Sequence, residues 1–330
     1  MEDMSDPFSF NTGAVESSYT GNIGQVFVEL GDAREDIVLV AADLGAGPVT
    51  GAFVEKFPSK FIDAGIAEAN AMSIAAGLAS YGLKVFVLQM GSFGALKCAE
   101  QIRTDMAFTQ MPVRILSAWS GLAMGFFGTS HHALEDIAIT RAIPGLTVVS
   151  PADDNAARAL IEGTMDLAGP VFIRLTDPSI YPVYETIPTM QVGKSIQVRD
   201  GNDGTIIGTG LGTQLATGAS DLLRKEGINI RVIDAYSLKP LDEQAIIDAA
   251  QTTPAVLTVE EHIVTGGLGS AVAEVIARNA IATKLKIHGL PDTALTVGTP
   301  DQLYQHYKLT IEDTARYMMS LLKPELPRQG

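Results

Sequence analysis

The chain has 330 residues, 46% of them hydrophobic and 18% charged, a composition that fits a well-packed globular protein of about two domains. Its net charge of −15 and pI of about 4.7 argue against nucleic acid or an anionic membrane as the main partner, because both need clustered Lys and Arg. A single cysteine, Cys98, excludes an intrachain disulfide framework and a Cys-based zinc site, and it reads as a buried helix residue.

Residues 1–18 read as a polar extension, starting Met1-Glu2-Asp3-Met4-Ser5-Asp6. They lack the basic and apolar regions of a signal peptide. No apolar run reaches the ~18 residues of a membrane span, so the cytoplasm is the expected location. Short apolar runs at 37–41, 84–88, 113–117, 146–149 and 171–175 are bounded by Gly, Pro or polar residues and predict buried parallel strands. Helical patterns lie between them at 94–110 and 153–167. The second opens on Asp153-Asp154 just after Pro151, which is good N-cap chemistry.

A break at 177–194 contains Pro178, Pro182 and Pro188 and no helical period, so it reads as a linker. A second unit begins near Gly204, with strands at 205–209, 229–233, 256–259 and 285–288. Its helices are expected at 211–225, 242–250, 267–280 and 311–322. The expected fold class is α/β, with two doubly wound domains. The expected divisions are an extension 1–18, a first domain 19–180, a linker 181–196 and a second domain 197–330.

Glu68 is the most informative residue. It lies in Gly65-Ile66-Ala67-Glu68-Ala69-Asn70-Ala71-Met72, after the extended run Lys60-Phe61-Ile62-Asp63 and before a small-residue helix at 71–80. A flat ring could approach closely there. Partial burial would raise the carboxyl pKa. The structural alternative is a helix-start Glu favoured by the macrodipole.

Four ordered segments carry a resemblance: 65–82; Met90-Gly91-Ser92-Phe93; Gly128-Thr129-Ser130-His131-His132; and Pro144-Gly145-Leu146 with Ser150-Pro151-Ala152-Asp153. Together they resemble the pyrimidine-binding domain of the transketolase family. That family includes deoxyxylulose-phosphate synthase and the β subunits of 2-oxoacid dehydrogenases. Glu260-Glu261-His262 followed by Gly266-Gly267-Leu268-Gly269 resembles its C-terminal domain, which gives His262, His288 and His306 structural roles.

The family holds the diphosphate of thiamine diphosphate through Mg²⁺, using a Gly-Asp-Gly segment on a preceding domain. No Gly-Asp-Gly occurs here, and Asp200-Gly201-Asn202-Asp203-Gly204 reads as a hairpin or loop. The resemblance therefore implies the β-type half of a split enzyme. Its partner would be an N-terminal, α-type subunit carrying the diphosphate-binding domain and the Mg²⁺, expected as α2β2. Small-molecule carbonyl compounds would be the substrates.

Carried over residue by residue, Glu68 matches the Glu that hydrogen-bonds N1′ of the aminopyrimidine and drives its imino tautomer. Phe93 matches an aromatic residue packed on that ring, and Met90 stands where relatives often have another aromatic. Asp43 resembles an acidic residue near the cofactor. His131 matches a His that faces the reacting carbon, with a pKa suited to proton transfer. His132 replaces its neighbour, and a His pair without nearby Cys or spaced carboxylates is a weak metal signal.

The departures bear on substrate. Where transketolases hold a sugar phosphate with two Arg and a His, this chain has Thr20, Asp177 and Trp119. Phe127 replaces an Asp that contacts a sugar hydroxyl. A dianionic phosphate needs charge-assisted donors, so the expected acceptor lacks a phosphate and suits specialised metabolism. Two further functions stand beside the transferase. One is the β subunit of a 2-oxoacid dehydrogenase or decarboxylase, and the other is a non-catalytic assembly subunit.

Overall fold

The computed structural model describes residues 19–45, 47, 49–176 and 180–323, so the expected extension 1–18 lies outside the described residues. The first unit runs α1 (Tyr19–Ala33), β1 (Ile37–Ala41), α2 (Gly51–Lys56), β2 (Phe61–Asp63), α3 (Glu68–Ser80) and β3 (Lys84–Met90). Two π-helical stretches, Phe93–Lys97 and Ile102–Ala107, flank the short turn α4 (Ala99–Gln101). Next come β4 (Val113–Ser120), α5 (Asp136–Ala142), β5 (Thr147–Val149), α6 (Asp154–Thr164) and β6 (Val171–Thr176).

The second unit runs β7 (Ile196–Arg199), β8 (Gly204–Gly208), α7 (Leu211–Arg224), β9 (Ile230–Asp234) and β10 (Ser237–Lys239). It continues through α8 (Glu243–Thr252), β11 (Ala255–Ile263), α9 (Leu268–Arg278), β12 (Lys284–Leu290), α10 (Pro300–His306) and α11 (Ile311–Leu322). Among the described residues there is a seven-stranded sheet in the order β10-β5-β6-β4-β3-β1-β2 and a five-stranded sheet in the order β12-β11-β8-β9-β7. Neighbours run parallel except at one edge of each, where β10 is antiparallel to β5 and β7 to β9.

The central strands are largely apolar on both faces because both faces are covered. Side chains alternate along a strand. Ile37, Leu39, Phe86 and Leu88 face a core with Phe27 of α1, Phe53 of α2 and Leu160 of α6. Val40, Val85 and Val87 face the opposite core, with Met72 and Ala75 of α3. Ala71, Ala75 and Ala79 are buried one turn apart, and their small size lets α3 lie close to the sheet. Enlarging Ala75 to Leu would overpack this contact at a cost of about 1–3 kcal/mol. The same core takes in Ile246 of α8 and Val272 of α9, so the two units share one continuous apolar interior.

Three features differ from the sequence expectations. The helix expected over 94–110 is interrupted by π-helical turns, which insert an extra residue and re-aim the side chains around it. Lys97 closes the first of these stretches. β7 starts before the expected onset near Gly204, and residues 200–203 form a loop, because β7 pairs with β9 rather than β8. β10 comes from the second half of the chain yet completes the first sheet. No helix among the described residues is long and apolar enough to cross a membrane.

Candidate active site

Ala42, Asp43 and Leu44 follow β1. Ile66 and Glu68 follow β2. Gln89, Met90 and Phe93 end and follow β3. These residues line one pocket of about 210 Å³. It sits at the carboxyl ends of parallel strands, where open α/β sheets bind their ligands. The structure thus brings together Asp43, Glu68, Met90 and Phe93, which the sequence had separated by up to fifty positions. A larger cleft of about 490 Å³, lined by Ser195, Arg231 and Asp242, lies on the second unit and holds no such combination of carboxylate and ring.

Local chemistry sets the pocket's shape. Asp63, at the end of β2, accepts hydrogen bonds from the backbone N–H groups of Asp43 and Gly65, each at 2.9 Å. One carboxylate therefore ties together the two loops that wall the site. Gly65 has φ of +68°, a conformation glycine adopts without penalty, and the chain then turns directly into α3. Glu68 is the first residue of that helix and is buried.

Both carboxylate oxygens of Glu68 accept from the Lys97 ammonium at 2.9 Å. The ammonium also lies 4.8 Å from the centre of the Phe93 ring. Burial is the largest single influence on Glu68 and raises its pKa. The Lys97 hydrogen bonds, the residue's own backbone N–H and the Lys97 charge together outweigh burial, so the carboxyl lies below its ordinary range. This reverses the rise expected from burial alone. Lys97 was missed in the sequence because nothing local links it to a residue 29 positions earlier.

The loop after β4 packs against the pocket's Phe93 through His131. Its neck is closed by paired backbone bonds between Gly121 and Ala133. His131 stacks on Phe127 with ring centres 4.6 Å apart, and its ring meets the edge of Phe93 at 5.1 Å. Ser130 Oγ lies 2.9 Å from His131 Nδ1. Burial, and then the neighbouring His132, hold the His131 pKa below its usual value. His132 itself is buried, and its Nε2 donates to the Gly125 carbonyl at 3.1 Å. It supports the loop and does not line the pocket. Trp119, the penultimate residue of β4, has a left-handed conformation, φ +51°, and packs half-buried against the core beneath α1. Thr20 lies in α1, but its side chain is outside the described residues, as is all of Asp177.

A buried ionic cluster fixes this loop against the second unit. Arg174 Nε donates to Asp136 at 2.7 Å, and its Nη2 donates to the carbonyls of Ala133 and Glu261 at 3.2 and 2.9 Å. Desolvation is the largest single influence on the guanidinium and lowers its pKa, but the charge and hydrogen bond of Asp136 with the charges of Glu261 and Glu260 together outweigh it and raise the pKa. The Glu261 carboxylate accepts from Leu122 N–H at 2.8 Å and from the Tyr304 hydroxyl. Gly121, with φ of +71°, lies against that carboxylate so closely that a Cβ there would come within 2.1 Å of it. His262 is buried, with Nδ1 on the Ile263 carbonyl and Nε2 facing the Ala138 N–H. Glu261 and His262 therefore fasten the two units together, while Glu260 accepts from Leu268 and Gly269 N–H within its own unit.

Fold and site together define the class: a two-unit doubly wound α/β protein whose pocket lies at the carboxyl ends of a parallel sheet. Residues 16–182 match the family model of the transketolase pyrimidine-binding domain, and residues 193–313 match that of the transketolase C-terminal domain. The chain belongs to the transketolase family. It is 36% identical to an apulose-4-phosphate transketolase subunit of Phocaeicola vulgatus over 95% of this chain and 99% of that protein. It is 33% identical to a 6-deoxy-6-sulfo-D-fructose transketolase subunit of Clostridium sp., over 88% and 90%. The 1-deoxy-D-xylulose-5-phosphate synthase of Syntrophotalea carbinolica is 34% identical, but the chain spans only 50% of it. Among solved structures, a split-gene transketolase described as an inactive beta4 tetramer superposes with a TM-score of 0.83 at 35% identity, over 92% of this chain and 98% of that one. A Pichia stipitis transketolase mutant, 19% identical with a TM-score of 0.77 over 92% of this chain and 46% of that one, shows the same fold.

Proposed function

We propose that the chain is the β-type half of a split, thiamine-diphosphate-dependent transferase that moves a two-carbon ketol or acyl unit onto a carbonyl acceptor. The observation that carries this is the buried Glu68 carboxylate in a pocket walled by Met90 and Phe93. A volume of about 210 Å³ suits one heteroaromatic ring, which fits a chain that takes the pyrimidine while a partner holds the diphosphate and Mg²⁺. Thiamine diphosphate, when bound, supplies the electron sink for breaking and forming the carbon–carbon bond. Residues 19–180 would serve the ring and 197–330 the assembly, joined by 181–196.

In this proposal Glu68 shares a proton with a ring nitrogen, while Met90 and Phe93 fix the ring's plane. Asp43, at the rim, takes part through the loop that Asp63 pins. His131, whose pKa burial and His132 hold below its ordinary value, offers a ring nitrogen to a substrate hydroxyl or carbonyl oxygen. Ile66, which lines the pocket, is 81% exposed, and Phe127, stacked on His131, is also exposed. Apolar groups so placed suit cover by an α-type partner, which would keep water from the site. The relatives whose names call them subunits are matched over 90% or more of their length, and this supports the split arrangement.

For the acceptor we propose a carbonyl compound without a phosphate, because Phe127 and Trp119 make this side aromatic and Thr20 and Asp177 replace expected cations. The names of the relatives point both ways, one to a sugar phosphate and one to a sulfo sugar. The test is a tagged pull-down from the source cell, with thiamine diphosphate assayed in the eluate and phosphorylated and unphosphorylated aldehydes then set in competition. A Gly-Asp-Gly partner with bound cofactor is the expected result. A chain that captures neither refutes the split enzyme, and a strong preference for the phosphorylated aldehyde refutes the acceptor proposal alone.

A further inference from the structure

Gln89 is out of character with its strand. β3 reads Lys-Val-Phe-Val-Leu-Gln-Met, and side-chain alternation places Gln89 in the same row as Val85 and Val87, which face α3. Gln89 is fully buried. Among the described residues, neither its amide oxygen nor its amide nitrogen has a hydrogen-bond partner. Burying an amide with nothing to bond destabilises a fold, and an aliphatic side chain would fill the same space without that cost. The neighbouring backbone also makes room for it: a Cβ on Gly94 would come within 2.9 Å of Gln89 Cβ. Gln89 lines the same pocket as Glu68, Met90 and Phe93.

We propose that Gln89 is a positioning residue for the heterocycle bound in this pocket, its amide pairing with the ring's amino-bearing edge. An amide presents an acceptor and a donor side by side. A 4-aminopyrimidine presents the complement, an exocyclic amino donor beside a ring-nitrogen acceptor, by the same logic that pairs Gln with adenine. Glu68 shares a proton with the other ring nitrogen, so the two side chains read different atoms of the ring and together set its rotation in the plane. The inference rests on the cofactor role proposed above and adds the residue that orients the ring.

The test replaces Gln89→Met and, separately, Gln89→Leu. Thermal unfolding is followed on the full chain. Thiamine diphosphate with Mg²⁺ is titrated into the complex with the copurified partner subunit. Both variants are expected to raise the unfolding midpoint of the free chain by about 2–4 °C, because an unpaired polar group is removed. Both are expected to weaken cofactor affinity roughly tenfold. A purely structural residue would not move these two readouts in opposite senses. Wild-type affinity in both variants overturns the inference while leaving the cofactor role intact. A fall in both midpoint and affinity also overturns it, because Gln89 would then be serving the fold. A wild-type complex that binds no thiamine diphosphate refutes the cofactor role itself, and the inference with it.

Discussion

Arg174→Met is the most demanding test of how the site is held. The substitution keeps the aliphatic stem and removes the guanidinium, which is 1% exposed and faces a fully buried Asp136. Three contacts go at once. The Ala133 carbonyl keeps its bond from Gly121 N–H, so its loss is small. The Glu261 carbonyl loses a donor at 2.9 Å. The heaviest loss falls on Asp136, left without its cation in a dry interior, and breaking such a pair costs about 3–5 kcal/mol. We expect about 4 kcal/mol in total, a large part of the ~5–15 kcal/mol that holds a native protein together. Urea unfolding followed by the fluorescence of Trp119, the single tryptophan, would measure it. The double variant Arg174→Met with Asp136→Leu should recover most of the loss, since neither charge is then stranded. A single variant within about 1 kcal/mol of wild type, or a double variant no better than the single, would refute the assignment of this pair as the fastening.

Glu68→Gln should lower turnover of the assembled enzyme by roughly 10²–10⁴-fold with an unchanged circular dichroism spectrum; full turnover would remove Glu68 from the chemistry. Lys97→Met should let the Glu68 pKa rise. Lys97 is 54% exposed, so its loss should cost no more than about 1 kcal/mol at pH 7. Because the folded carboxyl lies below its unfolded value, that gap should close as pH falls through the folded pKa; a Glu68 titration by NMR that does not shift in the variant would contradict this. Glu261 behaves oppositely, since burial pushes it up to about 7. Its folded form keeps a proton that the unfolded chain has lost, so its contribution is full at low pH and fades as pH rises through 7. Measured by urea unfolding, the stability of wild type relative to Glu261→Gln should therefore fall by about 2 kcal/mol between pH 5 and pH 8, and a flat difference would rule this out.

The parallel strands were legible because a strand buried on both faces must be short and largely apolar, as β1 is throughout and as β4 and β6 are apart from a buried Arg and hydroxyl side chains. Two of the four edge strands were not, whereas β2 and β12 were expected at 60–63 and 285–288. β7 alternates, Ile-Gln-Val-Arg, and β10 has three residues, Ser-Leu-Lys; neither carries a period long enough to separate it from a loop. Within the site, Glu68, Phe93, Met90 and Asp43 share one pocket because each follows a neighbouring parallel strand, an arrangement the strand pattern implies. Lys97 was hidden because its reach to Glu68 depends on a π-helical turn. Asp63 was hidden because its partners are backbone N–H groups. Gln89 did leave a trace, a lone amide in an apolar strand, and its significance shows only once its burial without partners is seen.

β10 has a consequence for synthesis. The outermost strand bordering β5 is made of residues 237–239, some sixty positions after β6 leaves the first sheet. A ribosome that has finished everything through β6 has made six of the seven strands, yet the row of N–H and C=O groups along β5 still lacks its cover. An open strand edge is a template for pairing with other chains. The first unit should therefore not survive as an independent fragment cut at the linker, and nascent chains should remain prone to cross-pairing until translation has passed Lys239.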